Sequence, residues 1–133
     1  MTGRAGWIWV AVGAVSAAAA VAMGAVGAHL TSGADAAARL WMETAARYHL
    51  PMALGLVLVG GLMLSRPGLC ALLAAWGLAL GSLLFSGGLY LQALAGLSMG
   101  PLVPLGGTLM ILGWLLVALH AVRVLSGAAA TRS

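Results

Sequence analysis

"WIWVAVGAVSAAAAVAMGAVGA", residues 7–28, runs for 22 positions without a charged side chain. A helix of that length at 1.5 Å per residue reaches about 33 Å, and the hydrocarbon core of a bilayer is about 30 Å thick. The rest of the chain has the same character. Of its 133 residues 63% are hydrophobic and 6% are charged, with a mean hydropathy of +1.12. A soluble domain carries about 25% charged residues, so this chain could not cover itself with a hydrated surface. The bilayer is the solvent that remains.

Three more stretches qualify as spans: 49–65, 69–95 and 102–124. Arg, Pro and Gly crowd into "SRPG" (65–68), and "LSMGP" (97–101) is similarly short, so both read as tight turns. The pattern predicts an all-α fold, an integral membrane four-helix bundle forming one domain over residues 1–133. The first run is longer than the roughly 7–15 residues of a signal-peptide core, and Arg4 alone precedes it, so it is expected to remain as a span.

Charge orients the bundle. The net charge is +4, from six Arg against Asp35 and Glu43. Those arginines are scattered, whereas a nucleic-acid surface needs a clustered basic patch, so no nucleic-acid partner is expected. With four spans, Arg4, Arg66, Arg123 and Arg132 share one side, and Arg39 and Arg47 fall on the other. Positive charge marks the cytoplasm. The expected location is the cell inner membrane, multi-pass, with both termini cytoplasmic. Trp7 and Trp9 stand where an interfacial aromatic belt is expected. Cys70, the one cysteine, lies in an apolar run and reads as a buried, inert thiol.

Lipid offers no hydrophobic drive to pair helices, so small residues at contacts must let backbones approach. Ser16, Ala20, Gly24 and Ala28 form one such stripe, and Gly77 and Gly81 form a GxxxG step. Packing within the chain is the expected use, and pairing with a second copy is the alternative.

The link between the first two spans is the one place where charge gathers. In "METAARYHLP" (42–51) and the residues before it, Asp35, Arg39, Glu43 and Arg47 recur every four positions with alternating sign. On a helix they would form successive ion pairs worth about 0.2–0.5 kcal/mol each when exposed. Ser32 reads as the N-cap with Asp35 three residues on, and Pro51 ends or kinks the helix. Residues 33–50 are therefore predicted to be an amphipathic helix on the outer surface, bending into the second span. By topology His29, Tyr48, His49, Tyr90, Gln92 and Thr108 join Glu43 and Arg47 in a polar cluster in the outer leaflet. His120, near Arg123, is the exception at the inner end.

Several segments, "GAVGAH" (24–29), "ETAARYH" (43–49), "LLFSGGLYLQALAG" (83–96) and "PLVPLGGTLMILGWLLVA" (101–118), occur in an order that resembles a small membrane family. It is the domain of unknown function 423 family, with relatives that include the eukaryotic transmembrane protein 256. The resemblance covers roughly residues 10–120 and implies a four-helix bacterial inner-membrane protein. It implies no reaction, substrate or cofactor. The chain departs from it at Leu50-Pro51-Met52, where the family more often resembles "YHALAL".

The expected function is that of a small scaffold or accessory membrane protein whose polar cluster locks the bundle. It is expected to be no enzyme and to have no cofactor, no catalytic residue and no metal. Its expected partners are the lipid bilayer and either a second copy or another membrane protein. An alternative is a small oligomeric carrier or channel using Glu43, Arg47 and His49. A further alternative is a metal site or membrane enzyme built from His29, Glu43 and His49, since two His and a carboxylate can hold a metal. Orientation is tested by labelling Ser65→Cys and Gly100→Cys in intact cells. Only the Gly100 replacement is expected to react with an impermeant thiol reagent, and the reverse pattern would invert the topology.

Overall fold

Small residues set how these helices meet. The computed structural model describes residues 2–30, 33 and 35–130. Helix α1 (Thr2–Leu30) turns back into helix α2 (Ala36–Ser65). The third crossing is α3 (Leu69–Ser82), one π-helical turn (Leu83–Gly87) and α4 (Gly88–Ala95), joined without a break in helical backbone. Helix α5 (Leu102–Ala130) makes the fourth. By length and apolar composition, Gly3–His29, Ala36–Ser65, Leu69–Ala95 and Leu102–Ala128 can each cross a membrane. The turns fall where Pro and Gly predicted them. Gly68 precedes α3, and Gly96 ends α4 with φ 66°, a left-handed conformation that glycine adopts without a Cβ penalty.

α2 and the third crossing occupy the centre, with Leu56, Val59, Ala74, Ala75 and Leu78 sealed between them. α1 packs on α2, and α5 packs on the third crossing. In the α1–α2 hairpin a Cβ at Gly13 would lie 2.8 Å from the Ala53 carbonyl oxygen, and one at Gly60 would lie 2.8 Å from that of Gly6. Gly77 and Gly81 face α5. A Cβ at Gly77 would lie 3.1 Å from Gly113 Cα, and one at Gly81 would lie 2.7 Å from Met110 N and 2.9 Å from the Gly106 carbonyl oxygen.

Gly24 differs from expectation. A Cβ there would meet nothing within 4 Å, so no neighbouring helix closes on that side of it. The stripe divides: Ala20 is buried, Ser16 makes a hydrogen bond, and Gly24 and Ala28 border an open groove. Trp9 also departs from the belt reading. It is buried, with its ring edge-on to Trp76 at 5.1 Å, while Trp7 stays exposed.

The helix expected over 33–50 runs directly into the second span instead of lying apart on the outer surface. α2 begins at Ala36 and continues through Pro51 to Ser65 as one helix of 30 residues. Proline removes one backbone hydrogen bond, whereas a break would leave several backbone groups unpaired in lipid, where each costs several kcal/mol. The first half of α2 packs into the bundle, burying Met42 and Ala45 with Leu89 and Tyr90. Asp35 is itself the N-cap, its Oδ1 accepting from Ala38 N at 2.7 Å. Ser32, expected in that role, lies outside the described residues. With Asp35 turned to the cap, the ladder does not close: among the described residues no salt bridge joins Asp35, Arg39, Glu43 and Arg47.

The contrast between Gly81 and Gly24 is testable. Gly81→Ala is expected to destabilise the protein in detergent by about 1–3 kcal/mol, the cost of overpacking against backbone that cannot yield. Gly24→Ala should stay within about 0.5 kcal/mol of wild type. Thermal unfolding of the two variants side by side checks both.

Candidate functional site

α1, α2 and α4 each contribute one side chain to a hydrogen-bonded group at the level of His49. His49 lies on the α2 face that carries Met42, Ala45, Met52 and Leu56 inward, because residues three and four apart share a helix face. Its Nε2 is 3.1 Å from Ser16 Oγ on α1, and its Nδ1 is 3.3 Å from the Tyr90 hydroxyl on α4. A neutral imidazole has one donor and one acceptor nitrogen, so one hydroxyl donates to the ring and the other accepts from it. The chain Ser16–His49–Tyr90 is thus directional and joins three helices. Beside it lies a cleft of about 290 Å³, lined by Val12, Ser16, His49, Ser82, Leu83 and Tyr90.

The π-helical turn sits at the edge of this cleft. A π turn holds one residue more than an α turn and so rotates whatever follows it, and such turns recur at functional sites. Here α4 emerges from it with Leu89 and Tyr90 turned inward. Ser82 and Ser86 are buried just before and within the turn, and Ser86 Oγ has no hydrogen-bond partner.

The expected polar cluster is only partly assembled. His49 and Tyr90 meet, as described. Tyr48 lies on another face, half-exposed and edge-on to Phe85 at 5.2 Å. Thr108 is exposed and donates back to the Pro104 carbonyl at 3.1 Å, a bond internal to α5. Gln92 is half-buried on α4 and His29 is exposed near the end of α1. Glu43 and Arg47, with Arg39, open onto a separate groove between α1 and α2. Among the described residues no three His, Cys, Asp or Glu side chains converge to hold a metal ion, so His29, Glu43 and His49 form no common site.

Ser16 was absent from the expected cluster because its place in a small-residue stripe explained it already. A hydroxyl in mid-span was the available signal. At the opposite end of the bundle Cys70 is buried as expected, yet it is not isolated: Arg123 Nη1 donates to its Sγ at 3.1 Å. His120 lies in the same corner against Gly68, with Nε2 buried and unpartnered.

Fold and site together define a small multi-pass membrane protein with a partly buried inter-helix polar tie. The match extends to a family: residues 23–107 fit the model described as "Protein of unknown function (DUF423)", and the chain belongs to that family. It is 35% identical to the "UPF0382 membrane protein YwdK" of Bacillus subtilis (strain 168) over 122 residues, 89% of this chain and 98% of that protein. It is also 35% identical to the "UPF0382 inner membrane protein YgdD" of Escherichia coli (strain K12) over 106 residues, covering 78% and 81% of the two chains. The "UPF0382 membrane protein SERP0230" of Staphylococcus epidermidis is 34% identical over 119 residues, 87% of this chain and 96% of that one. No solved structure matches the chain. The family carries no assigned biochemical activity.

A double-mutant cycle tests the tie. Hydrogen bonds between membrane helices average about 0.6 kcal/mol and reach about 1.7. Tyr90→Phe is expected to cost that much in the wild-type background and close to nothing in a His49→Ala background. Equal costs in the two backgrounds, read from thermal unfolding in detergent, would show that Tyr90 and His49 are not coupled.

Proposed function

We propose that the protein is a non-catalytic scaffold or accessory component of the inner membrane, with both termini cytoplasmic. One observation carries this reading. Between the level of His49 and that of His120 the bundle is an apolar slab, in which residues 50–64 of α2, 71–81 of α3 and 109–119 of α5 include no ionisable or hydroxyl side chain. Fifteen residues of α2 at 1.5 Å each make this slab about 22 Å deep. Glycine contacts and the Leu56, Val59 and Leu78 core fill it. Carriers and channels place ionisable or carbonyl groups along a path, and this protomer offers none across the slab.

Mutual engagement of the polar groups at the level of His49 supports the same reading. The hydroxyls of Ser16 and Tyr90 engage both ring nitrogens of His49, which leaves the imidazole no free nitrogen for a ligand. The arginine distribution supports the orientation, because four arginines fall on the side of the termini and two on the other.

The test is reconstitution of the purified protein into sealed vesicles. No ion or small-solute flux above that of empty vesicles is expected, and chemical cross-linking in native membrane should capture a stoichiometric membrane partner or a second copy. Flux that disappears in a folded Glu43→Gln or His49→Gln variant would replace this reading with the oligomeric carrier that uses Glu43, Arg47 and His49.

A further inference from the structure

We propose that the groove between α1 and α2 seats the head group of a zwitterionic aminophospholipid, with its phosphate on Arg39 and Arg47 and its ammonium on Glu43. The groove has a volume of about 440 Å³. Charged side chains from α2 (Arg39, Glu43, Arg47) face small or flexible ones from α1 (Met23, Gly24, Ala28) across it. This site is independent of whether the protein transports anything.

Depth is the first argument. Gly55 of α2 meets Trp114 of α5 and Leu78 of α3, and Leu78 meets Gly113, so these residues mark one level within the apolar slab. Counted at 1.5 Å per residue from Val57, the middle of the apolar run 50–64 of α2, Arg47 lies about 15 Å away, Glu43 about 21 Å and Arg39 about 27 Å. Half the hydrocarbon thickness is about 15 Å. The three charges therefore run from the boundary between acyl chains and head groups outward into the head-group layer, and the arginine stems are long enough to bring their guanidiniums to a phosphate there.

Chemistry is the second. Arg39, Glu43 and Arg47 are exposed and, among the described residues, form no salt bridge with each other or with any other side chain. A guanidinium at that boundary needs an anion, and its planar fork matches a phosphodiester through paired N–H donors. Glu43 lies between the two arginines. An anion that engages both must pass against its carboxylate unless the same ligand carries a cation. A carboxylate only accepts hydrogen bonds, and a primary ammonium offers three donors. Side chains four apart on a helix are about 5–6 Å apart at Cβ, close to the reach of the two-carbon linker between phosphate and amine in an ethanolamine head group.

Space is the third. A Cβ at Gly24 meets nothing within 4 Å, and Ala28 adds only a methyl. The groove is left open there, while Gly13 and Gly60 on the same two helices are in backbone contact. Met23 and Met42 supply an adaptable apolar wall where the glycerol and first acyl carbons would lie.

Native mass spectrometry of the delipidated, detergent-solubilised protein tests the proposal. The probes are phosphatidylethanolamine, phosphatidylglycerol and diacylglycerol with identical chains, and soluble O-phosphoethanolamine. Phosphatidylethanolamine is expected to bind roughly tenfold or more tightly than diacylglycerol, the scale of one charge-assisted contact, and more tightly than phosphatidylglycerol. Gly24→Leu should fill the groove and abolish that advantage while keeping wild-type thermal stability. Glu43→Gln should keep binding but lose the preference for ethanolamine over glycerol. Arg39→Gln with Arg47→Gln should bring phosphatidylethanolamine down to the diacylglycerol level, so the proposal stays exposed to refutation even if Gly24→Leu fails to fold. Equal binding of phosphatidylethanolamine and diacylglycerol, or undiminished binding by Gly24→Leu or by Arg39→Gln with Arg47→Gln, would overturn it. Soluble O-phosphoethanolamine binding as tightly as the lipid would overturn the assignment to a lipid.

Discussion

Backbone-to-backbone approach at small residues is the constraint on which the rest of this structure depends. In water, two helices pair because pairing hides apolar surface. In lipid that gain is absent, and van der Waals packing must supply the attraction. The chain meets this requirement at Gly13 and Gly60 in the α1–α2 hairpin and at Gly77, Gly81, Gly106 and Gly113 between the third crossing and α5. Each contact leaves no room for a side chain, and so each fixes the height of one helix against its neighbour. Those heights bring His49 level with Ser16 and under Tyr90, and bring His120 against Gly68 at the other end.

The same packing divides the polar groups into two separated sets. On one side of the slab are the Ser16–His49–Tyr90 tie and, further out, the charged groove. On the other are Cys70, His120 and Arg123. An uncompensated polar group in hydrocarbon is costly, which explains why His49 has both nitrogens engaged and why Thr108 turns to its own helix carbonyl. Ser86 and His120 each keep a buried atom without a partner. Ser86 belongs to the π turn, where the backbone ladder is already displaced, and His120 lies against the 65–68 turn.

Charge in α2 has a different setting from the one its spacing implies. Alternating sign at four-residue intervals is a reliable local signal for a helix, and residues 36–50 are helical. The same signal does not tell whether the charges meet one another. Asp35 leaves the ladder to cap the helix, and the remaining three point toward a wall of glycine and alanine on α1. Met42 and Ala45 on the next face are buried against α4, so this half of α2 is part of the bundle. Membership in a family without an assigned activity adds no residue roles, and the chemistry of these positions has to be read from their neighbours.

The sequence by itself determined the solvent, the number of crossings and the turns between them. Those depend on local quantities: the length of apolar runs, the placement of Pro and Gly in 65–68 and 97–101, and the hydropathy of each stretch. The GxxxG spacing of Gly77 and Gly81 was legible for the same reason, because a four-residue repeat places both on one face of a single helix. Tertiary structure decided everything that needs a second helix. Pro51 passes through α2 without ending it because the lipid penalty for broken backbone outweighs one lost hydrogen bond. Ser16 became a partner of His49, and Gly24 became the open wall of a groove, though both sit on one stripe with identical spacing. Tyr48, one position from His49 on α2, faces away from it against Phe85, while Tyr90 follows the π turn on α4 and faces His49. A repeat along one helix states which residues share a side, and only the neighbouring helix, with its own register and height, states what that side meets.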